Sequence, residues 1–574
     1  MTAVGIDFGT TNSVVAKWSP SGVNVYDLQG MQGPPVEWNG LGLEQIMPSV
    51  FGINSQGDGV FGWEAKTLES GQFAAVKRLF ATQQDQFHDE SHGSFAVEEI
   101  ATNIFRKLYE ATNDAPSQAV VTVPANSRGL ARHRTKICAG MAGMEVLALI
   151  NEPTAAAMAF ASRNPGGGQF LVFDWGGGTL DVTILRSEDG IFIEEASKGL
   201  PTRGGIDFDA RLSQALTQPL HGVDTWTASE RASFKLDVER AKILLSTQES
   251  TTVVLPHQES IQVTRAMFEE AVASLIEESR GPIEQCLEDL GAGAGAIDAV
   301  IMVGGTSCIP AVQRFVEDLL GRTPASGLNP MTAVGEGAAI AAAILTGDLE
   351  SNDFFVSTEH ALGVVVEDPY THTPYFGEVI PRNHKLPVEA NGVFTPSRQD
   401  QETVEVMVIE GDPEESIDHP DNVILKTWDI PLPGDTGTPD RSFTVDYHLG
   451  VDGILSVTVT DVTSATVMLE DDVSYGVTAD KAELVRISKR ARDTVESGKA
   501  RKPNEPQAGT ARSVDPESAK LIQQAQTKVI PFLEQSEAGP IRDAATALEN
   551  ATGPEVDEQR AKLRALLAPY SYLF

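Results

Sequence analysis

The chain has little cysteine: three in 574 residues, Cys138, Cys286 and Cys308, odd in number and without chelating spacing. That excludes a disulfide framework and a zinc ribbon, and it fits reduced thiols in a cytosol. Positive charge is also scarce, with 43 Lys and Arg against 81 Asp and Glu and a formal net charge of -38. A polyanion would be repelled, so nucleic acid is not an expected partner, and the charge reads first as a solubility device. No run of about 18 uninterrupted apolar residues suggests a membrane-spanning helix. Met1 leads within three residues into a strand-like run, with no basic segment before it. A signal peptide is therefore not expected, and the protein is predicted to be soluble and cytoplasmic. Finally, no G-x-x-x-x-G-K-[ST] string occurs, which argues against a P-loop fold.

What the chain does have is three glycine turns in order, each on or just after an apolar strand: Asp7-Phe8-Gly9-Thr10-Thr11-Asn12-Ser13, Asp174-Trp175-Gly176-Gly177-Gly178-Thr179 and Val303-Gly304-Gly305-Thr306. Glycine lets backbone amides converge on an anion, so such turns can cradle phosphate. A single strand-then-glycine turn is more often a plain hairpin, whereas three in series point to a nucleotide site. The first two follow an aspartate, Asp7 or Asp174, placed to hold magnesium through water beside phosphates. Asp181 lies seven residues past Asp174, and Thr10, Thr11 and Thr179 supply hydroxyls.

The length allows roughly three to four compact units. Through about residue 348, strand-like and helical runs alternate: Ala119–Val123 and Val146–Ile150 as strands, Arg128–Ala142 and Thr154–Arg163 as helices. This pattern predicts α/β architecture, and the repeated strand, aspartate and glycine turn predicts two similar halves with nucleotide between them. Gly291–Ala296 spells a dinucleotide fingerprint but precedes its strand, so it reads as a connection. After Gly347, Asp353–Val356 is a short apolar island, either a docking linker or a first strand. From there to about Tyr475, alternation at Val404, Val406 and Val408, and at Phe443, Val445, Tyr447 and Leu449, predicts antiparallel β, with a hairpin at Asp452-Gly453. Helical spacing resumes at Thr478, with a polar, mobile break at 502–512 and helices at Glu517–Glu537, Pro540–Asn550 and Glu555–Leu567. A lid and simple packing on the β region are both open for this tail.

With Ala119-Val120-Val121-Thr122-Val123-Pro124-Ala125, Ile150-Asn151-Glu152-Pro153-Thr154-Ala155-Ala156-Ala157 and Gly204-Gly205-Ile206-Asp207-Phe208-Asp209 added to the three turns, the chain resembles the DnaK-type seventy-kilodalton heat-shock chaperones of the actin-like ATPase superfamily. The resemblance implies a multidomain α/β plus β fold. Its parts are a two-lobed actin-like (ribonuclease H-like) ATPase domain over 1–348, a linker over 349–357, a β-sandwich peptide-binding domain over 358–476 and a helical lid-like region over 477–574. It implies ATP/ADP and Mg2+ as cofactors, and slow ATP hydrolysis coupled to capture of unfolded apolar polypeptide.

By the same resemblance, Asp7 and Asp174 hold magnesium through water, and Glu152, Asp181 and Thr179 complete the network around metal and attacking water. Lys77 positions that water. Gly9, Thr10, Thr11, Gly176, Gly177, Gly178, Gly204, Gly205, Gly304, Gly305 and Thr306 cradle the nucleotide. Glu239, Lys242 and Ser246, spaced three and four apart on one helix face, contact adenosine. Val364, Phe394, Val404 and Val406 line the peptide pocket, although alternating valines are ordinarily core, and Pro124 and Arg132 relay nucleotide state between domains.

The chain departs from the family at several positions. Cys308 replaces an arginine that stacks on adenine and Met331 replaces an aspartate, which predicts nucleotide binding weakened by about 0.5–2 kcal/mol. Val356 replaces a linker aspartate. Ala148 replaces an arginine used by J-domain proteins, so a J-domain partner is in question, alongside a nucleotide-exchange factor. Two other readings stay open: a non-hydrolysing ATP-sensing holdase or exchange-type relative, and an actin-like filament protein, for which the β region would be superfluous.

Overall fold

The computed structural model describes residues 3–567 except 29–33, 36–37, 39–40, 83–85, 90–92, 113–117, 126, 128, 189–190, 221–222, 258–259, 350–357, 359, 369, 383, 397, 399–400, 420–421, 433–440, 451–454, 474–480, 499–517, 519–520, 523, 531–534 and 552–554. The apolar island at 353–356, the hairpin turn at 452–453 and the break at 502–512 lie outside the described residues.

Two α/β halves come first and repeat one strand plan. In the first, Ala3–Phe8 pairs antiparallel with Asn12–Ser19 and parallel with Gln118–Val123, which pairs in turn with Glu145–Asn151. In the second, Gly168–Trp175 pairs antiparallel with Leu180–Glu188 and parallel with Ala299–Val303. Each therefore opens with a hairpin whose turn is one of the acid–glycine signatures. The strands between are apolar on both faces: Val4, Val120, Leu171, Val172 and Phe173 are fully buried, as sheets covered by helices on both sides require.

Local sequence sets the helix ends. Thr227 and Glu230 form a capping box at the start of Ala228–Leu245. The expected helix at 154–163 spans Glu152–Ala161, entered from Asn151 with Pro153 in its first turn, where a missing N–H costs nothing. Ala333–Thr346 ends on Gly347 with φ of 77°. This helix packs against Glu152–Ala161 and the first strand pair. At their crossing a Cβ on Gly337 would lie 1.7 Å from the Ala155 carbonyl oxygen, so only glycine allows that approach. Arg163 closes the crossing with an ion pair to Glu336, which also accepts from Thr332 Oγ1 at 2.7 Å.

The β region folds as two facing four-stranded antiparallel sheets, with strands 374–380, 361–367, 403–411 and 423–431 in one and 388–394, 443–449, 455–461 and 467–472 in the other. Alternation does what it predicts: Val404, Val406, Val408, Val445, Tyr447, Val457 and Val459 are buried between the sheets. Tyr447 Oη donates across to the Gly363 carbonyl at 2.7 Å. The sandwich core is continuous with the apolar cluster around the two crossing helices.

The tail begins with the helix Lys481–Ser497, which packs on Val97–Ala111 of the first half rather than on the sandwich. Ser488 Oγ donates to the Met141 carbonyl at 2.8 Å, Arg490 pairs with Glu99 at 3.1 Å, and Arg106 pairs with Glu496 at 3.3 Å. Simple packing on the β region is thus not what this helix does. Further on, the helix expected from Pro540 starts earlier, at Gln535, with Pro540 inside it. Burial of Ala538, Ile541, Ala544, Ala545 and Leu548 in one cluster outweighs the lost backbone bond. Within the span expected as one helix from 517 to 537, Gln524–Val529 forms a π-helical turn.

Candidate functional site: a cleft between two glycine turns

The two acid–glycine turns face each other. A Cβ built on Gly177 would lie 1.8 Å from Thr11 Oγ1, so the second turn leaves the space that the first turn's hydroxyl occupies. Thr11 Oγ1 is buried and without a hydrogen-bond partner, as a group reserved for a ligand oxygen would be. Backbone amides close the second turn and tie it to the Gly204-Gly205 segment: Gly176 N donates to Thr179 O at 3.1 Å, Gly205 N to Gly176 O at 3.0 Å and Ile206 N to Gly177 O at 3.0 Å. Thr306 Oγ1 donates to the Gly176 carbonyl at 2.8 Å, which ties the third signature to the second. Gly9, Thr10, Gly178, Gly304 and Gly305 line the same cavity.

Acids converge beneath the turns. Asp174 and Asp181 sit opposite each other in register, and Thr179 Oγ1 donates to Asp181 Oδ2 at 3.0 Å. Asp7 accepts from Thr122 Oγ1 at 3.2 Å. Burial, followed by the charge on Glu152, pushes the Asp7 carboxyl up to about 7, against the pull of Lys77. Asp174 is raised well above the usual range by burial and by Glu152, Asp181 and Asp7. Lys77 Nζ meets Glu152 Oε1 at 2.5 Å, both side chains nearly buried. Burial alone would lower the Lys77 ammonium, but Glu152, Asp7 and Asp174 outweigh it and hold it above its ordinary value. One ammonium among four acids leaves a deficit of positive charge, which suits a divalent cation. Among the described residues no group of three or more acids, histidines or cysteines is placed to hold a metal ion.

The adenosine-side residues are placed differently from a free ligand face. Glu239 pairs with Lys66 across the cleft at 2.6 Å, and Lys242 donates to Asp209 at 2.7 Å and to the Gly205 carbonyl at 3.0 Å. Burial works to raise the Glu239 carboxyl, but Lys66 and Lys242 bring it below its usual value. Ser246 Oγ turns back to the Lys242 carbonyl at 3.5 Å. Beside them Ile243 and Met331 pack on an apolar cluster of Val14, Trp38, Leu43, Ile46 and Trp63, and Lys66 Nζ lies over both indoles at 5.6 and 5.3 Å. Cys308 is half-buried, its thiol raised by burial. This end of the cleft thus carries the Lys66–Glu239 and Lys242–Asp209 ion pairs beside an apolar cluster, with Cys308 where the resemblance led one to expect a stacking arginine.

Sequence reasoning missed Lys66, Trp38, Trp63 and Arg78. Arg78, next to Lys77, reaches across to the Gly178 carbonyl and to Asp207 at 3.5 Å. Its place beside Lys77 was a usable signal, and the indoles sit in a stretch with no motif. Away from the cleft, Val364, Val404 and Val406 are buried in the sandwich core, and Phe394 is half-buried with its ring 6.1 Å from Phe443. Pro124 lines the main cavity, and Arg132 Nη1 donates to Asn151 Oδ1 at 3.2 Å.

The family model described as Hsp70 protein matches residues 73–571. The chain belongs to the Hsp70 family. Among its relatives, the chaperone protein DnaK of Thermus thermophilus is 32% identical over 572 residues, covering 91% of this chain and 89% of that protein. DnaK of Deinococcus proteolyticus is 30% identical, covering 98% and 92%, and that of Thermotoga neapolitana is 35% identical, covering 80% and 78%. As an Hsp70, the chain is an ATP-dependent molecular chaperone and an ATPase. No helix among the described residues is long and apolar enough to cross a membrane.

Proposed function

We propose that this Hsp70 hydrolyses ATP in the cleft between its two halves and uses the cycle to switch its β-sandwich between weak and tight capture of extended apolar polypeptide. One observation carries the reading: Lys77, paired with Glu152 at 2.5 Å, feels the charges of Asp7 and Asp174 beneath two facing glycine turns. In this assignment the amides of the Gly9, Gly176–Gly178 and Gly304–Gly305 turns, with Thr10 and Thr11, hold phosphate oxygens. Lys77 orients the attacking water and neutralises charge that develops on the transferred group, while Glu152 fixes Lys77. Asp181, with Thr179 on its oxygen, accepts from that water. Asp7 and Asp174 would hold magnesium through water, where it would supply positive charge that offsets the acids. The nucleoside lies toward Glu239, Lys242, Met331 and Cys308, an end without a stacking arginine, which predicts modest affinity.

The division of labour follows the family: an actin-like ATPase over 1–348, a linker over 349–357, a peptide-binding sandwich over 358–476 and a lid-like tail over 477–574. Val364, Phe394, Val404 and Val406 form the apolar socket, and the client's backbone bonds along the sheet. Pro124 and Arg132 relay nucleotide state. An exchange factor is an expected partner. Ala148, buried in the strand Glu145–Asn151, leaves a J-domain protein without its usual arginine, so stimulation by such partners should be weak. Two measurements test the whole. ATP should speed release of a fluorescent apolar peptide, and Val404→Phe should abolish peptide capture while sparing hydrolysis; ATP-insensitive release, or unchanged capture in the variant, would overturn the corresponding half of the reading.

A further inference from the structure

Lys77 and Arg78 stand on a single 3-10 turn, Val76–Leu79, and so short an element does not fix its own direction. It is entered through Ala75 at φ of 55°, a left-handed backbone that a residue with a Cβ keeps only when its surroundings impose it. At its exit, beside the buried Leu79 and Phe80, the carbonyls have no further turn to bond and need donors from elsewhere. One guanidinium collects them. Arg134, on the helix Gly129–Met141, donates from Nη1 to the carbonyls of Leu79 at 2.9 Å, Thr82 at 3.0 Å and Phe80 at 3.3 Å. Its Nε donates to Glu98 Oε1 at 2.8 Å, from the helix Val97–Ala111. The two side chains are only 2% and 4% exposed, so each charge is compensated by the other rather than by water.

A buried ion pair adds little net stability over an apolar pair of the same volume. What this one adds is orientation, because a planar fork of donors admits one arrangement of the carbonyls it holds. The held segment is also the wall of the cleft: Lys77 through Thr82 border the main cavity. Phe80 packs on Phe8, the residue after Asp7, with ring centres 5.9 Å apart. We propose that Arg134, compensated by Glu98, is a positioning residue for hydrolysis: by gathering the carbonyls that leave the turn, it sets Lys77 against Glu152 without touching nucleotide itself. A turn released from Arg134 would still carry the ammonium, but at a distribution of places, and catalysis by a group depends steeply on where it is held. The inference rests on the role given above to Lys77.

The test uses the full chain. Arg134→Lys keeps a charge opposite Glu98 but has no fork to span the carbonyls; it should lower kcat for ATP hydrolysis about tenfold and leave KM within about twofold, since the glycine turns are untouched. Arg134→Gln combined with Glu98→Gln leaves no buried charge unmatched and should give the same loss, and if either protein fails to fold the other decides. On a Lys77→Ala background, Arg134→Lys should cost less than about twofold more, because its effect runs through Lys77. Hydrogen–deuterium exchange over residues 76–82 should be faster in Arg134→Lys, with exchange over 168–188 unchanged. A wild-type kcat in Arg134→Lys, a raised KM without loss of kcat, or a loss that adds in full to that of Lys77→Ala overturns the proposal. Should Lys77→Ala hydrolyse ATP at the wild-type rate, the catalytic reading falls, while unchanged exchange over 76–82 would separately show that Arg134 does not hold the turn.

Discussion

The two halves of the nucleotide region share a strand plan but contribute different things to the cleft between them. Each places acids beneath the turns, Asp7 and Glu152 from the first and Asp174 and Asp181 from the second, but the first adds the cations and hydroxyls Lys66, Lys77, Arg78, Thr10 and Thr11. The second supplies acids and empty space: Asp174, Asp181, Asp207, Glu239 and the bare glycines 176–178. Both ion pairs that cross the cleft near the turns, Lys66–Glu239 and Arg78–Asp207, take the cation from the first half and the acid from the second. A repeated topology, with its aspartate repeated at each turn, has therefore been joined by ion pairs that run one way across the cleft. Closing the halves on each other is consequently what builds the site, and either half alone would present unbalanced charge.

The sharpest attack on this division removes the one ammonium among the acids. Lys77→Ala should lower single-turnover ATP hydrolysis by about 10²–10³-fold while ATP still binds; an unchanged rate would show that the first half's cation is not catalytic. Next, Gly177→Ala puts a methyl group where Thr11 Oγ1 sits and should weaken nucleotide binding by about 1–3 kcal/mol in titration calorimetry. Adding Thr11→Gly should relieve the clash and recover the folding stability lost in Gly177→Ala, read in denaturant titrations, though not the phosphate contact of Thr11, and no recovery would break the claim that the turns are cut to fit each other. A smaller effect is expected at the rim. Lys66→Ala removes the cross-cleft pair and should speed ADP dissociation about tenfold in stopped flow.

The smallest effect concerns pH. The Asp7 carboxyl is raised from 3.8 to about 7, so the folded nucleotide-free chain holds this proton more tightly than the unfolded one does. Its contribution to stability is then fully present below pH 3.8 and is lost as pH rises through about 7. Asp7→Asn should flatten that part of the profile and raise stability of the nucleotide-free protein at pH 7 by about 1 kcal/mol in denaturant titrations. Magnesium with ADP should stabilise wild type increasingly across the same window and the variant hardly at all.

Much of the fold was legible because its signals are local. A strand, an acid and a glycine turn are adjacent in the chain, and alternation along Val404–Val408 reports burial within five residues. The halves, the sandwich strands and the glycine turns were all readable in this way. The adenosine end was less so: the helix spacing put Glu239 and Lys242 on the cleft face, but their partners, Lys66 and Asp209, lie 173 and 33 residues away. No window along the chain contains both members of such a pair.

Composition, periodicity and the three turns were sufficient by themselves to determine an α/β nucleotide machine joined to an antiparallel β region, because backbone geometry and hydrophobic burial act over a few residues. Tertiary structure alone decided which charges meet, that the tail's first helix docks on the first half, and which of two neighbouring glutamates is buried. Glu194 and Glu195 are identical to any local rule. One shifted register in a strand pair turns the first inward to Asn151 and Thr154 and leaves the second on the surface, because a side chain's direction is set by pairing partners far away in sequence.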